Sequence, residues 1–194
     1  MHPDLVQIHP DTHNVILDIA YATPHNITHA PIYQHDGCYL HKTAALHLEY
    51  AIGLAATLDL RFKIFDAFRP LEGQWTLWQH FPNSNYISHP EQGSTPHCRG
   101  VAIDLTLIDS QGTVLDMGTP FDHLGEEAHH GYLNISTEAQ KNRLLLIGIM
   151  TSAGWDFYRN EWWHYQLFNP RAFSALTDAE AQVSLIPPLS TYKV

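Results

Sequence analysis

The sequence has few basic residues and no long apolar run. It contains 10 Lys and Arg against 20 Asp and Glu, which gives a formal net charge of -10 at pH 7. Because no cluster of Lys and Arg could neutralise a row of phosphates, nucleic acids and anionic membranes are poor candidates as partners. No apolar stretch reaches the roughly 18 residues that a membrane-spanning helix needs, and the N-terminus lacks the basic and apolar regions of an export signal. We therefore expect a soluble cytoplasmic protein.

Cysteine is also scarce, since the chain has only Cys38 and Cys98. Two cysteines can form at most one disulfide, and neither belongs to a CxxC pair of the kind found in redox and zinc-knuckle motifs. This usage favours the reducing cytoplasm over an oxidising compartment.

The composition predicts a single folded domain. Of the 194 residues, 44% are hydrophobic and 15% are charged, so the chain is too apolar for a disordered segment. No internal repeat and no low-complexity linker divides it. We expect residues 1–194 to form one domain around one core.

Hydrophobic periodicity predicts both helices and strands. Apolar residues at three- and four-residue spacings predict an amphipathic helix over 42–59, and apolar, aromatic and β-branched residues predict a strand over 61–68. A second strand over 101–108 alternates in polarity, so Asp104 is expected to point away from the apolar set. Further predicted elements are a short helix over 71–80, a long helix from 137 to about 154, and a strand over 164–168.

A long loop separates these elements in the middle of the chain. Residues 81–96 are rich in Pro, Asn, Ser and Gly, the residues that favour turns. The order of the predicted helices and strands favours an α+β fold, in which helices pack on a mostly antiparallel sheet.

Two short segments carry residue types that bind metals. His97 follows the turn-rich loop, and Asp104 comes seven residues later in a strand. Glu161 and His164 enclose two tryptophans, whose rings would exclude water and restrict side-chain rotamers. Taken alone, each pair also has an ordinary explanation, namely a hydrogen-bonded strand aspartate for the first and a surface ion pair for the second.

Together the two segments could form a catalytic zinc site. Catalytic zinc takes three protein ligands and leaves one position for water, so His97, Asp104 and His164 would complete such a set. Glu161 would then remain to take a proton from the water and pass it to a leaving amine. The HExxH helix of the commoner zinc proteases does not occur.

Ordered segments along nearly the whole chain resemble the D-alanyl-D-alanine dipeptidase family. These zinc enzymes are known from vancomycin resistance and from bacterial systems that scavenge dipeptides. The wider fold family, which includes D,D-carboxypeptidases and the signalling domain of hedgehog proteins, shares mainly the metal-binding set. The matching segments are 18–23, 26–27, 31–33, 66–70, 97–107, 116–118, 121–122, 139–145 and 161–164.

The resemblance implies one zinc ion per chain in a central cleft, bound by His97, Asp104 and His164. It also implies that Glu161 is the catalytic base and that Arg69 polarises the scissile carbonyl and holds the oxyanion. For Arg69 the alternative is a purely structural role, as a buried arginine that clamps a carboxylate.

The family has a small closed cavity for a free dipeptide, and further residues match its lining. Asp122 matches the aspartate that binds the ammonium end, and Tyr21 matches a tyrosine of the same pocket. A hydroxyl binds the carboxylate end. Before the first ligand the family usually has Gly-Ser-x-His, whereas this chain carries one additional residue, so either Ser94 or Thr95 could supply the hydroxyl. Cys98 replaces a commoner serine, and we interpret it as a small packing residue outside the metal set.

The implied activity is zinc-dependent hydrolysis of D-Ala-D-Ala to two D-alanine, with water activated by Glu161. One alternative is a D,D-carboxypeptidase that acts on longer cell-wall peptides and needs an open cleft. Another is a zinc-stabilised binding module without turnover, against which the presence of Glu161 and Arg69 argues. The dipeptidase and the D,D-carboxypeptidase differ in whether the loop at 81–96 and the segment at 122–134 cover the cavity. Oligomeric state and biological role, in glycopeptide resistance or in dipeptide recycling, are left open.

Overall fold

The computed structural model describes residues 1–82 and 86–188, in which helices pack against a mixed sheet. The strands are β1 (Leu5–Ile8), β2 (Ile16–Leu17), β3 (Cys38–His41), β4 (Arg61–Asp66), β5 (Ala102–Ile108), β6 (Asp156–Phe157) and β7 (His164–Gln166). The helices are α1 (Pro10–His13), α2 (Lys42–Ala56), α3 (Leu71–His80), α4 (Thr137–Ser152) and α5 (Asp178–Ala181). The predicted α+β class is confirmed.

The strands form a two-stranded sheet, β1-β3, and a five-stranded sheet in the order β2-β4-β5-β7-β6. In the larger sheet β2 pairs parallel with β4, and the other three pairings are antiparallel. The long helices α2 and α4 pack against each other, and α2 also packs on β4. A single apolar cluster runs from β1 to Leu185, and β5 lies at the centre of the larger sheet.

The predicted elements are present, and several of them end earlier than predicted, β7 for example at Gln166. The helix predicted over 42–59 ends at Ala56, because the chain then tightens into a turn and Asp59 adopts a positive φ of 58°. The strand predicted over 61–68 ends at Asp66. The backbone of the next two residues bonds elsewhere, since Ala67 O accepts from the His97 ring and Phe68 N donates to Tyr39 O.

Strand β5 has two faces of different polarity, as predicted, and both faces are buried. Every residue from Ala102 to Ile108 is buried, so the strand has no exposed face. The alternation in the sequence separates an apolar face from a buried polar one, on which Asp104 and Thr106 lie. A buried carboxylate is costly unless it is paired, so Asp104 requires partners inside the fold.

In the predicted loop at 81–96, residues 86–96 consist of turns and bends, without helix or strand. Residues 83–85 lie outside the described part. The interpretation of residues 1–194 as one domain stays a prediction, since 189–194 also lie outside it. Within the described ranges no helix combines the length and apolarity needed to cross a membrane.

Candidate metal centre and active site

The register of the sheet places three polar residues in one row. Asp66 on β4 lies opposite Asp104 on β5, and Asp104 lies opposite His164 on β7. Residues directly opposite each other on neighbouring strands point to the same face of the sheet. All three are buried, so the row forms the floor of a polar site inside the fold.

His97 reaches this row from a short 3-10 turn, His97–Arg99, at the end of the long loop. The turn closes at Gly100, whose φ of 65° suits a residue without a side chain. There an added Cβ would lie 2.8 Å from the backbone nitrogen of His41. The His97 ring is fixed because its Nδ1 lies 2.7 Å from Ala67 O, and a carbonyl oxygen can only accept.

The side chains of His97, Asp104 and His164 converge on one point. His97 Nε2 lies 3.1 Å from His164 Nδ1, and Asp104 Oδ1 lies 3.4 Å from the first nitrogen and 3.1 Å from the second. Atoms spaced in this way share a point about 2.0 to 2.2 Å from each, the range of zinc–nitrogen and zinc–oxygen bonds. Among the described residues these three form the group that could hold a metal ion.

Hydrogen bonds on the far sides of the rings support a cation at that point. His97 Nδ1 donates to Ala67 O, and His164 Nε2 donates to Gln166 Oε1 at 3.1 Å. In neutral histidines this leaves an unprotonated nitrogen on each ring, facing the other and the Asp104 carboxylate. Three sets of lone pairs directed at one point repel one another unless a cation lies between them. The donor set therefore fits a metal ion.

Glu161 lies beside this group on the turn that precedes β7. Its Oε2 is 3.8 Å from His164 Nδ1, and the turn is held where Trp162 N donates to Ala128 O at 3.1 Å. Trp162 and Trp163, which follow Glu161, are both buried, in agreement with the predicted exclusion of water. The pKa of Glu161 is raised to about 8, chiefly by burial. The His164 ring opposes this shift, and the neighbouring Asp104 carboxylate adds to it.

Arg69 approaches the row from the end of β4. Its Nε and Nη2 donate to Asp66 Oδ2 at 2.9 and 2.8 Å, and its Nη1 donates to Gln74 Oε1 at 2.9 Å. The guanidinium carbon also lies 5.0 Å from the centre of the Tyr21 ring. The carboxylate clamp considered as an alternative role is thus present, yet Arg69 lines the same cavity as Glu161 and the three metal-binding candidates.

Asp122 and Tyr21 also line this cavity and contact each other. The Tyr21 hydroxyl donates to Asp122 at 3.3 Å to Oδ1 and 3.1 Å to Oδ2. Burial, followed by the charge of Asp104, raises the pKa of Asp122 to about 7. Asp122 lines the cavity and has a φ of 61°, an uncommon conformation for a residue other than glycine.

Ser94 and Thr95 both line the cavity but differ in environment. Ser94 is half-buried and its carbonyl accepts from Arg99 Nε at 2.7 Å. Thr95 is only 2% exposed, and its buried Oγ1 has no hydrogen-bond partner among the described residues. Its φ of 42° is unusual for a β-branched residue. A strained residue that presents an unpaired buried hydroxyl to a cavity is a candidate for contact with a ligand.

These residues enclose a cavity of about 280 Å³. This is at the lower end of the range of roughly 300 to 1,000 Å³ for small-molecule sites. Among the described residues, the Asp, Glu, Lys and Arg side chains that line it are Asp104, Asp122, Glu161 and Arg69. The positive charge of Arg69 is already paired with the Asp66 carboxylate. The other three of these residues are acidic, so the lining suits a cation.

Two chain segments form part of the cavity wall. Tyr86, Ile87, Ser88 and 94–96 line it from the loop, and Asp122 and Leu124 line it from the segment at 122–134. The segments meet where the Tyr86 hydroxyl lies 3.3 Å from His129 Nε2. The second segment is anchored from α4 by the buried Arg143, which donates to three backbone carbonyls in it or just before it.

Sequence reasoning overlooked two glutamines and one aspartate of this site. Gln166 is two residues from His164 on β7, so strand periodicity could have placed it on the same face. Asp66 lies in the segment that contains Arg69, three residues before it. No pattern in the sequence pointed to Gln74. Cys98 is fully buried outside the metal-binding group, and burial raises the pKa of its thiol to about 12.

Comparison with known proteins identifies relatives along nearly the whole chain. A family model described as D-ala-D-ala dipeptidase, of peptidase family M15, matches residues 1–180. A D-alanyl-D-alanine dipeptidase of Escherichia coli is 41% identical over 175 residues, which cover 90% of this chain and 89% of that protein. Those of Enterococcus faecalis and Enterococcus faecium are each 33% identical, over 81% and 80% of this chain and 88% and 87% of theirs.

Proposed function

Because the chain belongs to the D-alanyl-D-alanine dipeptidase family of M15 peptidases, we propose that it hydrolyses D-Ala-D-Ala to two D-alanine and depends on one zinc ion. The observation that carries this proposal is the small cavity, which brings a three-residue metal-binding group, a buried glutamate and a buried arginine together. Its volume suits a dipeptide better than a longer peptide.

His97, Asp104 and His164 would hold the zinc ion. Two imidazole nitrogens and one carboxylate oxygen form a donor set that is typical of catalytic zinc, with a position left for a further ligand. Zinc, when bound, acts as a Lewis acid and makes water a better nucleophile near neutral pH.

Glu161 is the proposed general base and acid. Its carboxylate lies next to the metal-binding group without belonging to it, and burial favours its protonated form. Such a group readily accepts a proton from the attacking water and can then donate it to the departing amine. Burial among tryptophans fixes the carboxylate and keeps bulk water away.

Arg69 is the proposed donor to the oxyanion. Of its five N–H groups, Asp66 and Gln74 occupy three, so one on each terminal nitrogen is left for the substrate. Because Asp66 and Gln74 hold the guanidinium before substrate arrives, little reorganisation is needed when negative charge develops on the scissile carbonyl.

The two ends of the dipeptide have separate proposed partners. The Asp122 carboxylate, with Tyr21 behind it, would bind the ammonium end. The Thr95 hydroxyl would bind the carboxylate end, and we assign this role to Thr95 over Ser94 because only the Thr95 Oγ1 is shown to be buried and unpaired within the described chain. We also propose the cytoplasm as the location, a proposal that the two free, buried cysteines support.

The test is release of D-alanine by the purified, zinc-loaded protein from D-Ala-D-Ala and, separately, from a pentapeptide that ends in D-Ala-D-Ala. We expect cleavage of the dipeptide alone, and loss of this cleavage when a zinc chelator is added. Cleavage of the pentapeptide would instead establish a D,D-carboxypeptidase. If neither substrate is cleaved, the chain acts on another substrate or is a binding module, and the proposal is wrong.

A further inference from the structure

Gln74 makes two hydrogen bonds that connect different parts of the active site. It lies in the first turns of α3 and is only 4% exposed. Its Oε1 accepts from Arg69 Nη1 at 2.9 Å, and its Nε2 donates to Ser88 O at 2.8 Å. One side-chain amide thus binds both the arginine of the site and the backbone of the loop that covers it.

The bond to Ser88 holds the part of the loop that lines the cavity. Other contacts hold the loop farther along: the His89 ring packs against Trp75 and Trp78, and Arg171 Nη2 donates to Gln92 O at 3.0 Å. The loop should therefore stay attached to the protein when the bond from Gln74 is removed. What changes is its closure over the cavity.

The bond to Arg69 fixes the guanidinium on the side that Asp66 does not hold. Asp66 accepts from Nε and Nη2, while Gln74 accepts from Nη1, so the two residues together prevent the guanidinium from swinging toward or away from the cavity. We propose that Gln74 is a positioning residue that holds both the Arg69 guanidinium and the loop at 86–96 in place. This inference rests on the proposed function only for its effect on turnover.

An amide is the side chain that suits both bonds. It offers an acceptor and a donor at its end, whereas an ionised carboxylate offers acceptors alone and a thioether offers neither in useful strength. Gln74→Glu would keep the bond from Arg69, strengthened by charge, and would place an oxygen against Ser88 O. Gln74→Met would lose both bonds at nearly constant volume.

The two variants should separate the two bonds in the zinc-loaded protein. For Gln74→Met we expect kcat on D-Ala-D-Ala to fall by about 10- to 100-fold with KM changed less than about threefold, because a misplaced group costs on the order of 10²-fold. For Gln74→Glu we expect kcat within about threefold of the unmodified protein. In both variants a Glu-specific protease should cleave after Glu91 more rapidly, because the loop is held less firmly.

Gln140 provides a matched control. Its amide also joins a helix to loop carbonyls, those of Leu133 and Ile135, but Gln140 does not line the cavity. Gln140→Met should leave both kcat and cleavage after Glu91 unchanged. Equal losses of kcat in Gln74→Glu and Gln74→Met, or cleavage after Glu91 at the unmodified rate in both, would overturn the inference.

A spectroscopic measurement separates this inference from the proposed function. The bond to Gln74 slows rotation of the Arg69 Nη1 group, so its protons should give a distinct NMR signal in the unmodified protein and in Gln74→Glu, and an averaged one in Gln74→Met. The signal is assigned by its absence in Arg69→Lys. If the unmodified protein does not cleave D-Ala-D-Ala, the proposed function fails while this signal and the protease still decide the role of Gln74.

Discussion

His97 Nε2 and His164 Nδ1 face each other at 3.1 Å, while the other nitrogen of each ring donates to an oxygen behind it. The two acceptors are of different kinds. Ala67 O belongs to the backbone, so no substitution removes the acceptor that fixes His97. Gln166 Oε1 belongs to a side chain, which can be changed without replacing a metal-binding residue.

Gln166→Leu should weaken zinc binding by about 10- to 100-fold, the usual cost of losing a partner that orients a metal-bound histidine. The reason is that His164 loses the acceptor that keeps Nδ1 unprotonated and directed at Asp104. Competition with a chromophoric chelator measures the affinity, and Gln140→Leu serves as the distant control. An unchanged affinity in Gln166→Leu would show that the tautomer of His164 is set by something else.

Glu161→Gln should lower kcat by about 10²- to 10⁴-fold, the typical contribution of a general acid–base group. It should retain one zinc per chain, because Glu161 lies beside the metal-binding group and is not one of its members. Zinc content and turnover are measured on the same sample. Near-normal turnover in the zinc-loaded variant would remove Glu161 from the mechanism.

Thr95→Val should raise KM for D-Ala-D-Ala by roughly tenfold or more, since a hydrogen bond to a charged group contributes about 1.5–3 kcal/mol. Thr95→Ser keeps the hydroxyl and should retain most of the affinity, and Ser94→Ala should have little effect. Steady-state kinetics of the three variants decides between the neighbouring hydroxyls. A large increase of KM in Ser94→Ala alone would assign the carboxylate end to Ser94.

Asp122→Asn should stabilise the metal-free protein at pH 8 and not at pH 4. Burial raises the pKa of Asp122 to about 7, so between pH 4 and pH 7 the folded protein keeps a proton that the unfolded chain releases. The contribution of Asp122 to stability therefore falls as the pH rises through this window, by about 1 to 3 kcal/mol. Asparagine cannot ionise and avoids the loss. Urea unfolding at both pH values tests this, and equal stability of the two proteins at pH 8 would contradict it.

The sequence was sufficient to predict the class of the fold and the position of most elements. The apolar spacing along α2 matches its buried face, and the alternation along β5 matches two buried faces of different polarity, because the side-chain period of a helix or strand is a local property. The residue types of His97, Asp104 and His164, together with the family resemblance, predicted a metal-binding group, and the sheet register and the turn at His97–Arg99 bring these residues together.

Other features depend on relationships that no local pattern encodes. Gln74 acts through its contacts with Arg69 and with a loop carbonyl, and helical periodicity does not distinguish it from an ordinary buried glutamine. The difference between Ser94 and Thr95 arises from the turn that buries one hydroxyl and not its neighbour. The end of β4 at Asp66 follows from bonds that the next residues make to distant segments.

The most direct measurement is a zinc titration of the chelator-treated protein, with D-alanine release from D-Ala-D-Ala recorded at each addition. We expect no activity before the first addition and a linear rise that ends at one zinc ion per chain. His164→Ala should show no such rise. Activity that is independent of added metal, or equal restoration in His164→Ala, would contradict the assignment of His97, Asp104 and His164 as the metal centre.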